Sequence, residues 1–323
     1  MTVKNLQTWG YKKLKDVTPN PSLDTDLLLS HVLKEGLSPA SAGWAQAGRS
    51  FLYAHPETEI TKKQETIFKK LVGRREKREP MAYLLGEAEF CGLKFKVTPD
   101  VLIPRPETEM LVDEALKLLK VQSPKFKTLI DIGTGSGAII ISIVYSLLSL
   151  RGGANSATKQ SRDRHAAARD DIQYIGLDIS GKALKVVKHN ARKILGKNHP
   201  IKFIKSDLLA KIIEVRPRLK PRLKHPVLFV ANLPYLTKSE LKRKELMYEP
   251  GAALYGGNGG LELIHKLILQ FARIAESGDI MLLEIGAGQA DKIKKLTQKY
   301  LSGCRLKIKK DFNGFDRVAI INI

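Results

Sequence analysis

Two groups of residues have the types and spacing to do chemistry. The first is Asp131-Ile-Gly133-Thr134-Gly135-Ser136-Gly137, which follows one apolar run and opens another. Its glycines let the chain turn sharply and let a ligand approach the main chain, while the helix expected next offers unpaired backbone N–H groups. The spacing departs from G-x-G-x-x-G, which disfavours a nicotinamide dinucleotide. The following apolar run ends at Asp178. An acid there, at the carboxyl edge of an open α/β sheet, accepts hydrogen bonds from ribose hydroxyls, so loop and acid together predict a nucleoside site. The second group is Asn232-Leu233-Pro234-Tyr235, at the end of a later apolar run. A side-chain carbonyl beside backbone carbonyls suits an NH2 group: two N–H bonds, to Asn232 and to the carbonyl of Leu233, would aim the nitrogen at a neighbouring ligand. Tyr235 would add an aromatic wall for a planar group.

Other candidates stay more open. Arg105, Glu107 and Glu109 either line a pocket or form a connector whose acids complement a helix N-terminus. Gly256-Gly257-Asn258-Gly259-Gly260 lacks the Lys-Ser/Thr of a P-loop and reads as a flexible loop near the pocket. Glu284 to Gln289 reads as a strand-to-helix turn. No His/Cys/Asp cluster has metal-ligand spacing, so no metal is expected, and Asp178 with Asp207 reads as two strand-end acids.

These residues need a sheet to hold them. After Lys127 the chain alternates short apolar strands, at 128–132, 173–178, 201–205, 227–231 and 279–285, with helices near 137–149, 180–195, 260–276 and 288–300. This is the pattern of a parallel sheet covered on both faces. Two last strands, 305–309 and 317–321, flank a short turn at Asn313-Gly314 and should pair antiparallel. Residues 1–85 read as helical, with Asp24 or Asp26 capping one helix and Thr61 with Gln64 forming a capping box for another that Pro80 ends. Phe90, Leu93, Phe95 and Val97 around Cys91-Gly92 predict a hairpin. Residues 151–171 and 216–226 read as loops.

With 323 residues, the chain is long enough for about two domains. Two cysteines exclude a disulfide framework. The longest apolar stretch, Ala138 to Leu150, falls short of the ~20 residues needed to span a bilayer, so no membrane association and a cytoplasmic location are expected. The net charge of +22 points to an anionic partner. Residues 1–85 carry net +5 and the remainder +17, concentrated in Lys292 to Lys310 and Lys211 to Lys224.

The order of glycine loop, ribose-binding acid and Asn-x-Pro-Tyr resembles the class I S-adenosylmethionine-dependent methyltransferases that act on planar NH2 nitrogens. Within them the chain resembles the release factor glutamine N5-methyltransferases, the HemK or PrmC family. The likeness rests on Asp26 to Leu33, Pro80 to Gly86, Val101 to Glu109 with its Ile-Pro-Arg-Pro-Glu-Thr-Glu, Asp131 to Gly137, Asn232 to Tyr235, Glu249-Pro250 and Glu284 to Gln289. It implies an α/β fold: a Rossmann-like domain with a seven-stranded, mostly parallel sheet over 107–323, a β-hairpin linker at 86–106, and an N-terminal helical substrate-recognition domain at 1–85. It also implies methyl transfer from S-adenosylmethionine to the glutamine of the Gly-Gly-Gln loop in a peptide chain release factor. Gly133, Thr134, Gly135, Ser136 and Gly137 would border the methionine part, Asp178 the ribose, and Asp207 with Leu208 the adenine. Asn232, Leu233, Pro234 and Tyr235 would hold the glutamine, with Asn232 also bordering the cofactor.

Leu233 replaces the proline usual in this family, which lowers the expected rigidity of the loop. Asn-Leu-Pro-Tyr is similar to the ribosomal RNA adenine dimethyltransferases, so N6-adenine methylation of RNA or DNA is the alternative. Those enzymes carry their helical domain after the Rossmann-like one, the reverse of the order here. A basic ribosome- or RNA-binding protein without activity is a further alternative. The charge then reads as a docking surface for an acidic protein or a ribosomal complex.

Overall fold

The computed structural model describes residues 1–35, 42–121, 126–149, 172–214 and 223–323. The loop expected at 151–171, and most of the one expected at 216–226, lie outside the described residues. Two compact units emerge: Met1–Glu87 with Arg243–Tyr248, and Ala88–Lys242 with Glu249–Ile323.

The first unit is helical: α1 (Val3–Leu14), α2 (Pro21–Glu35), α3 (Ala42–Ala54), α4 (Lys62–Glu76) and the short α5 (Met81–Leu85). Leu6, Leu28, Leu29, Leu52, Phe68 and Val72 are fully buried between them. The Thr61–Gln64 capping box opens α4 as expected. Two expectations are corrected. Proline is tolerated in a first helical turn, where its missing N–H needs no partner, so α2 starts at Pro21 and encloses Asp24 and Asp26. Both acids are buried and reach other helices instead: Asp24 accepts from Arg75 at 2.8 Å and Asp26 from Gln7 at 2.8 Å. α4 stops at Glu76, before Pro80, and Arg78 turns left-handed at φ 68°; Pro80 instead leads into α5.

A hairpin follows, β1 (Glu87–Phe90) and β2 (Leu93–Lys96), whose turn residues Cys91 and Gly92 both have positive φ, 49° and 70°. That backbone matches the twist of the flanking strands. Asn190 stitches β2 to α8 (Gly181–Leu195): its Oδ1 accepts from the Lys96 N–H at 2.8 Å and its Nδ2 donates to the carbonyls of Lys96 and Ser136.

The sheet contains β3 (Thr128–Ile132), β4 (Gln173–Asp178), β5 (Ile201–Lys205), β6 (Val227–Ala231), β7 (Ile280–Glu284), β8 (Arg305–Lys310) and β9 (Asp316–Asn322). Their spatial order is β5-β4-β3-β6-β7-β9-β8, with all neighbours parallel except β9 against β7 and β8 against β9. Successive strand residues serve opposite cores. Leu129, Ile280 and Leu282 pack with residues of α6 (Glu109–Val121), α7 (Ala138–Ser149) and α8. Ile130, Met281 and Leu283 pack with residues of α9 (Ala210–Glu214), α10 (Glu262–Ala272) and α11 (Ala290–Tyr300). Burial on both faces is why the strands read as continuous apolar runs. Strand order reverses between β3 and β6, and a crevice opens at the carboxyl ends of strands where order reverses.

Candidate active site

That crevice is a cavity of about 200 Å³ within the second unit. Gly133, Gly135, Asp178, Asp207, Leu208, Asn232, Leu233 and Pro234 line it. Thr134, Ser136, Gly137 and Tyr235 do not line it and serve its frame.

The glycine loop is held from below. Asp131 is wholly buried and accepts the Thr134 hydroxyl at 2.6 Å, while its Oδ1 has no hydrogen-bond partner. Burial pushes its carboxyl up to about 7. A Cβ at Gly137, where φ is 84°, would lie 2.4 Å from Val187 of α8, so a glycine here lets α7 and α8 close on each other. Asp178 accepts the N–H of Gly135 through Oδ2 and that of Ser180 through Oδ1, at 2.9 and 2.8 Å. Burial raises its pKa against those two bonds. Ile179, which the sequence reading passed over, follows Asp178, lines the cavity and is 60% exposed, an apolar wall offered to a ligand.

Asp207 is ion-paired with Lys266. Leu208 adopts a left-handed φ of 52°, uncommon for a residue with a Cβ. It is pinned there by the Ser206 hydroxyl, which donates to its carbonyl at 2.7 Å, and by the next N–H, which donates to Gln270 at 2.7 Å.

The Asn232-Leu-Pro-Tyr235 loop is braced on every side. Leu233 is buried, and its side chain would stand 3.2 Å from a Cβ on Gly133, so packing supplies the fixation expected of the missing proline. The glycine-rich run 256–260, expected to be a flexible loop near the pocket, is instead part of a strap over 251–260. Leu236 donates to the carbonyl of Leu254 and accepts from the N–H of Gly256, both at 3.0 Å. A Cβ on Gly260 would fall 2.1 Å from the Tyr235 carbonyl oxygen. Gln289, in the turn between β7 and α11, donates to the carbonyls of Tyr235 and Gly260 at 3.4 and 3.3 Å. Tyr235 lies behind the cavity, its hydroxyl 3.4 Å from Glu284 and its pKa pushed up to about 12, mainly by burial.

Of the Pro-Arg-Pro-Glu-Thr-Glu residues, Arg105 is ion-paired with the buried Glu249, and Glu109 accepts the N–H of Cys91 at 2.7 Å. The residue that reaches the site is Thr108, whose hydroxyl oxygen accepts from Asn232 Nδ2 at 2.9 Å. Its charged neighbours drew the sequence reading away from it. Among the described residues no group of three or more His, Cys, Asp and Glu could hold a metal, and no helix is long and apolar enough to cross a membrane.

A seven-stranded sheet with its last strand pair antiparallel, and a glycine loop, strand-end acid and Asn-x-Pro-Tyr at its carboxyl edge, define a Rossmann-like methyltransferase. Residues 5–86 match the family described as the PrmC N-terminal domain. The chain is 35% identical over 312 residues to a release factor glutamine methyltransferase of Coxiella burnetii, covering 96% of this chain and 94% of the relative. It is 31% identical over 320 residues to one of Buchnera aphidicola, covering 98% of each. A solved protein-(glutamine-N5) methyltransferase (release factor-specific) from Alicyclobacillus acidocaldarius aligns at 24% identity over 71% of this chain and 99% of that one, with a TM-score of 0.38. The chain belongs to the release factor glutamine methyltransferase family.

Proposed function

We propose that the protein methylates the side-chain N5 of the glutamine in the Gly-Gly-Gln loop of a peptide chain release factor, in the cytoplasm, with S-adenosylmethionine as donor. The residues present fit that donor. Asp178 keeps a lone-pair direction free on each oxygen beyond its two backbone bonds, enough for two ribose hydroxyls. Ile179 and Leu208 offer apolar walls for a planar base, beside Asp207, and Gly133 and Gly135 leave the main chain open to the methionine part. When bound, the donor supplies an electrophilic methyl group on a sulfonium.

The chain's own work falls on the amide. A glutamine nitrogen is a poor nucleophile because its lone pair is delocalised into the carbonyl. Asn232 Oδ1 and the carbonyl of Leu233 accept its two N–H groups, which favours a pyramidal nitrogen with its lone pair facing the methyl carbon, an interaction stronger in the transition state than in the ground state. Asn232 and the Leu233 carbonyl would hold the nitrogen in line with the methyl group that the donor would supply, and the nitrogen, strongly acidic once substituted, would release its proton to solvent. The 1–85 helical region is assigned to recognition of the release factor, and the basic segment Lys292 to Lys310 to steering an acidic protein or a ribosomal complex.

The observation that carries the reading is the placement of Asn232 on the same cavity as Gly135 and Asp178. The test incubates the protein with methyl-labelled S-adenosylmethionine and, separately, release factor and ribosomal RNA. Label on the glutamine of the release factor is the expected result; label in RNA alone overturns it in favour of adenine methylation.

A further inference from the structure

We propose that the turn Asp311–Phe315, between β8 and β9, is a docking point for the protein that carries the target glutamine, with Phe312 and Phe315 anchoring an acidic face of that protein. The partner rests on the release factor reading; the site rests on two exposed rings. Phe312 is fully exposed and Phe315 is 54% exposed. Single apolar residues on a surface are ordinary, but two phenyl rings on one short turn form a patch that water disfavours.

The turn is firmly built. Asp311 Oδ1 accepts the N–H groups of Asn313 and Phe315, both at 3.0 Å, and its Oδ2 accepts from the Arg317 guanidinium at 2.9 Å. The Asp311 N–H donates to the carbonyl of Phe315 at 2.8 Å, and the Gly314 N–H to the carbonyl of Asp311 at 2.9 Å. Rings displayed on so constrained a backbone lose little freedom on binding, so their burial contributes more fully to affinity.

Topology sets the turn on the rim of the cavity. β9 runs antiparallel to β7 and so begins at the carboxyl edge of the sheet. Ala231 pairs with Leu283, Leu283 with Ala319, and Glu284 with Val318. Asn232, next after Ala231, is therefore level with Glu284 and Val318. Phe315 lies three residues from Val318 and two strands across from Asn232, about 10 Å in each direction. A cavity of about 200 Å³ admits no protein domain, so whatever carries the glutamine must rest on the rim. A standard interface covers about 800 Å² of each partner, a patch about 16 Å in radius, which centred on Asn232 includes the turn.

Charge identifies the face of the partner. The edge strand β8 leads into the turn and exposes Arg305, Lys307 and Lys310. Lysines on an edge strand keep other strands from pairing with it, but exposed phenylalanines at its end do not serve that purpose. Asp311 and Asp316 flank the rings, where a nucleic acid stacked on them would bring its phosphates. Arg317 offsets the one, and Lys310 stands opposite the other. A near-neutral aromatic tip with cations a few residues away fits an acidic protein face that offers an apolar pocket.

The test compares the wild type with the double variant Phe312→Ser, Phe315→Ser. With purified, unmethylated release factor as substrate, KM rises about 10- to 100-fold, the scale of two interface anchors, while kcat at saturation stays within about twofold. A second double variant, Lys307→Glu with Lys310→Glu, also raises KM and makes it less sensitive to salt. An unchanged KM in the ring variant, a fall in kcat alone, or a loss of affinity for a single-stranded oligouridylate in place of the release factor overturns the inference, and wild-type labelling of the release factor then leaves the functional reading standing. A wild type that labels no release factor overturns the functional reading and the docking with it.

Discussion

The backbone N–H of Gly135 donates to Asp178 Oδ2 at 2.9 Å, so the glycine loop and the strand-end acid, 43 residues apart, are one construction. Asp178 thus both shapes the loop and lines the cavity. Asp178→Asn leaves one acceptor oxygen where two backbone N–H groups need partners, and sets an NH2 against one of them. Hydrogen bonds to a charged acceptor are worth about 1.5–3 kcal/mol, so S-adenosylmethionine affinity should fall about 10- to 100-fold. Isothermal titration calorimetry measures it, and an unchanged Kd removes Asp178 from the cofactor site.

Gly259 and Gly260 are adjacent, and both have positive φ, 69° and 72°, yet their surroundings differ. A Cβ on Gly259 meets nothing within 4 Å, whereas one on Gly260 would fall 2.1 Å from the Tyr235 carbonyl oxygen. Gly259→Ala should cost only the left-handed backbone penalty, about 1–2 kcal/mol, and keep turnover. Gly260→Ala must displace the strap or the Asn232–Tyr235 loop, and should lose kcat as well as stability. Thermal melts and kinetics on the pair separate the two effects; equal activity in both would mean that the strap does not hold the loop.

The sheet was legible because β3, β4, β6 and β7 are buried on both faces and so appear as uninterrupted apolar runs between turns. Gly133, Asp178 and Asn232 were legible for a related reason: strand ends at a switch point are where such folds place ligands. Thr108 was not. Its hydrogen bond to Asn232 spans 124 residues, and nothing in local spacing encodes it. The start of α2 was misread because Asp24 and Asp26 look like caps in sequence, while their use as buried partners of Arg75 and Gln7 is visible only once the helices pack. The 256–260 part of the strap was misread because glycines that permit close approach look the same in sequence as glycines that permit motion.

Asn232→Ala removes the carboxamide but none of the groups assigned to the ribose or the base. Loss of one oriented partner of the reacting group costs on the order of 100- to 1000-fold in kcat in comparable sites. The variant should therefore bind S-adenosylmethionine normally and lose most methyl transfer to the release factor. Equilibrium binding and single-turnover transfer, measured on the same preparation, check both halves; full turnover would remove the proposed mechanism.

Asp131 gives a prediction of opposite sign to the usual carboxylate. Its carboxyl is pushed up to about 7 by burial, against the Thr134 hydroxyl bond, with the charge of Asp178 adding a smaller push in the same upward direction. The folded protein therefore holds a proton on Asp131 over a pH range in which the unfolded chain has released it. Between about pH 4 and pH 7 the native state binds more protons, so this group's contribution to stability falls as pH rises, by about 4 kcal/mol at most across the window. Asp131→Asn keeps an acceptor for Thr134 and removes the titration. Relative to wild type, the variant should gain stability steadily from pH 4 to pH 7 and no further above it. Chemical denaturation at a series of pH values measures the difference, and a wild-type-minus-variant stability that is flat with pH would show that Asp131 is ionised throughout.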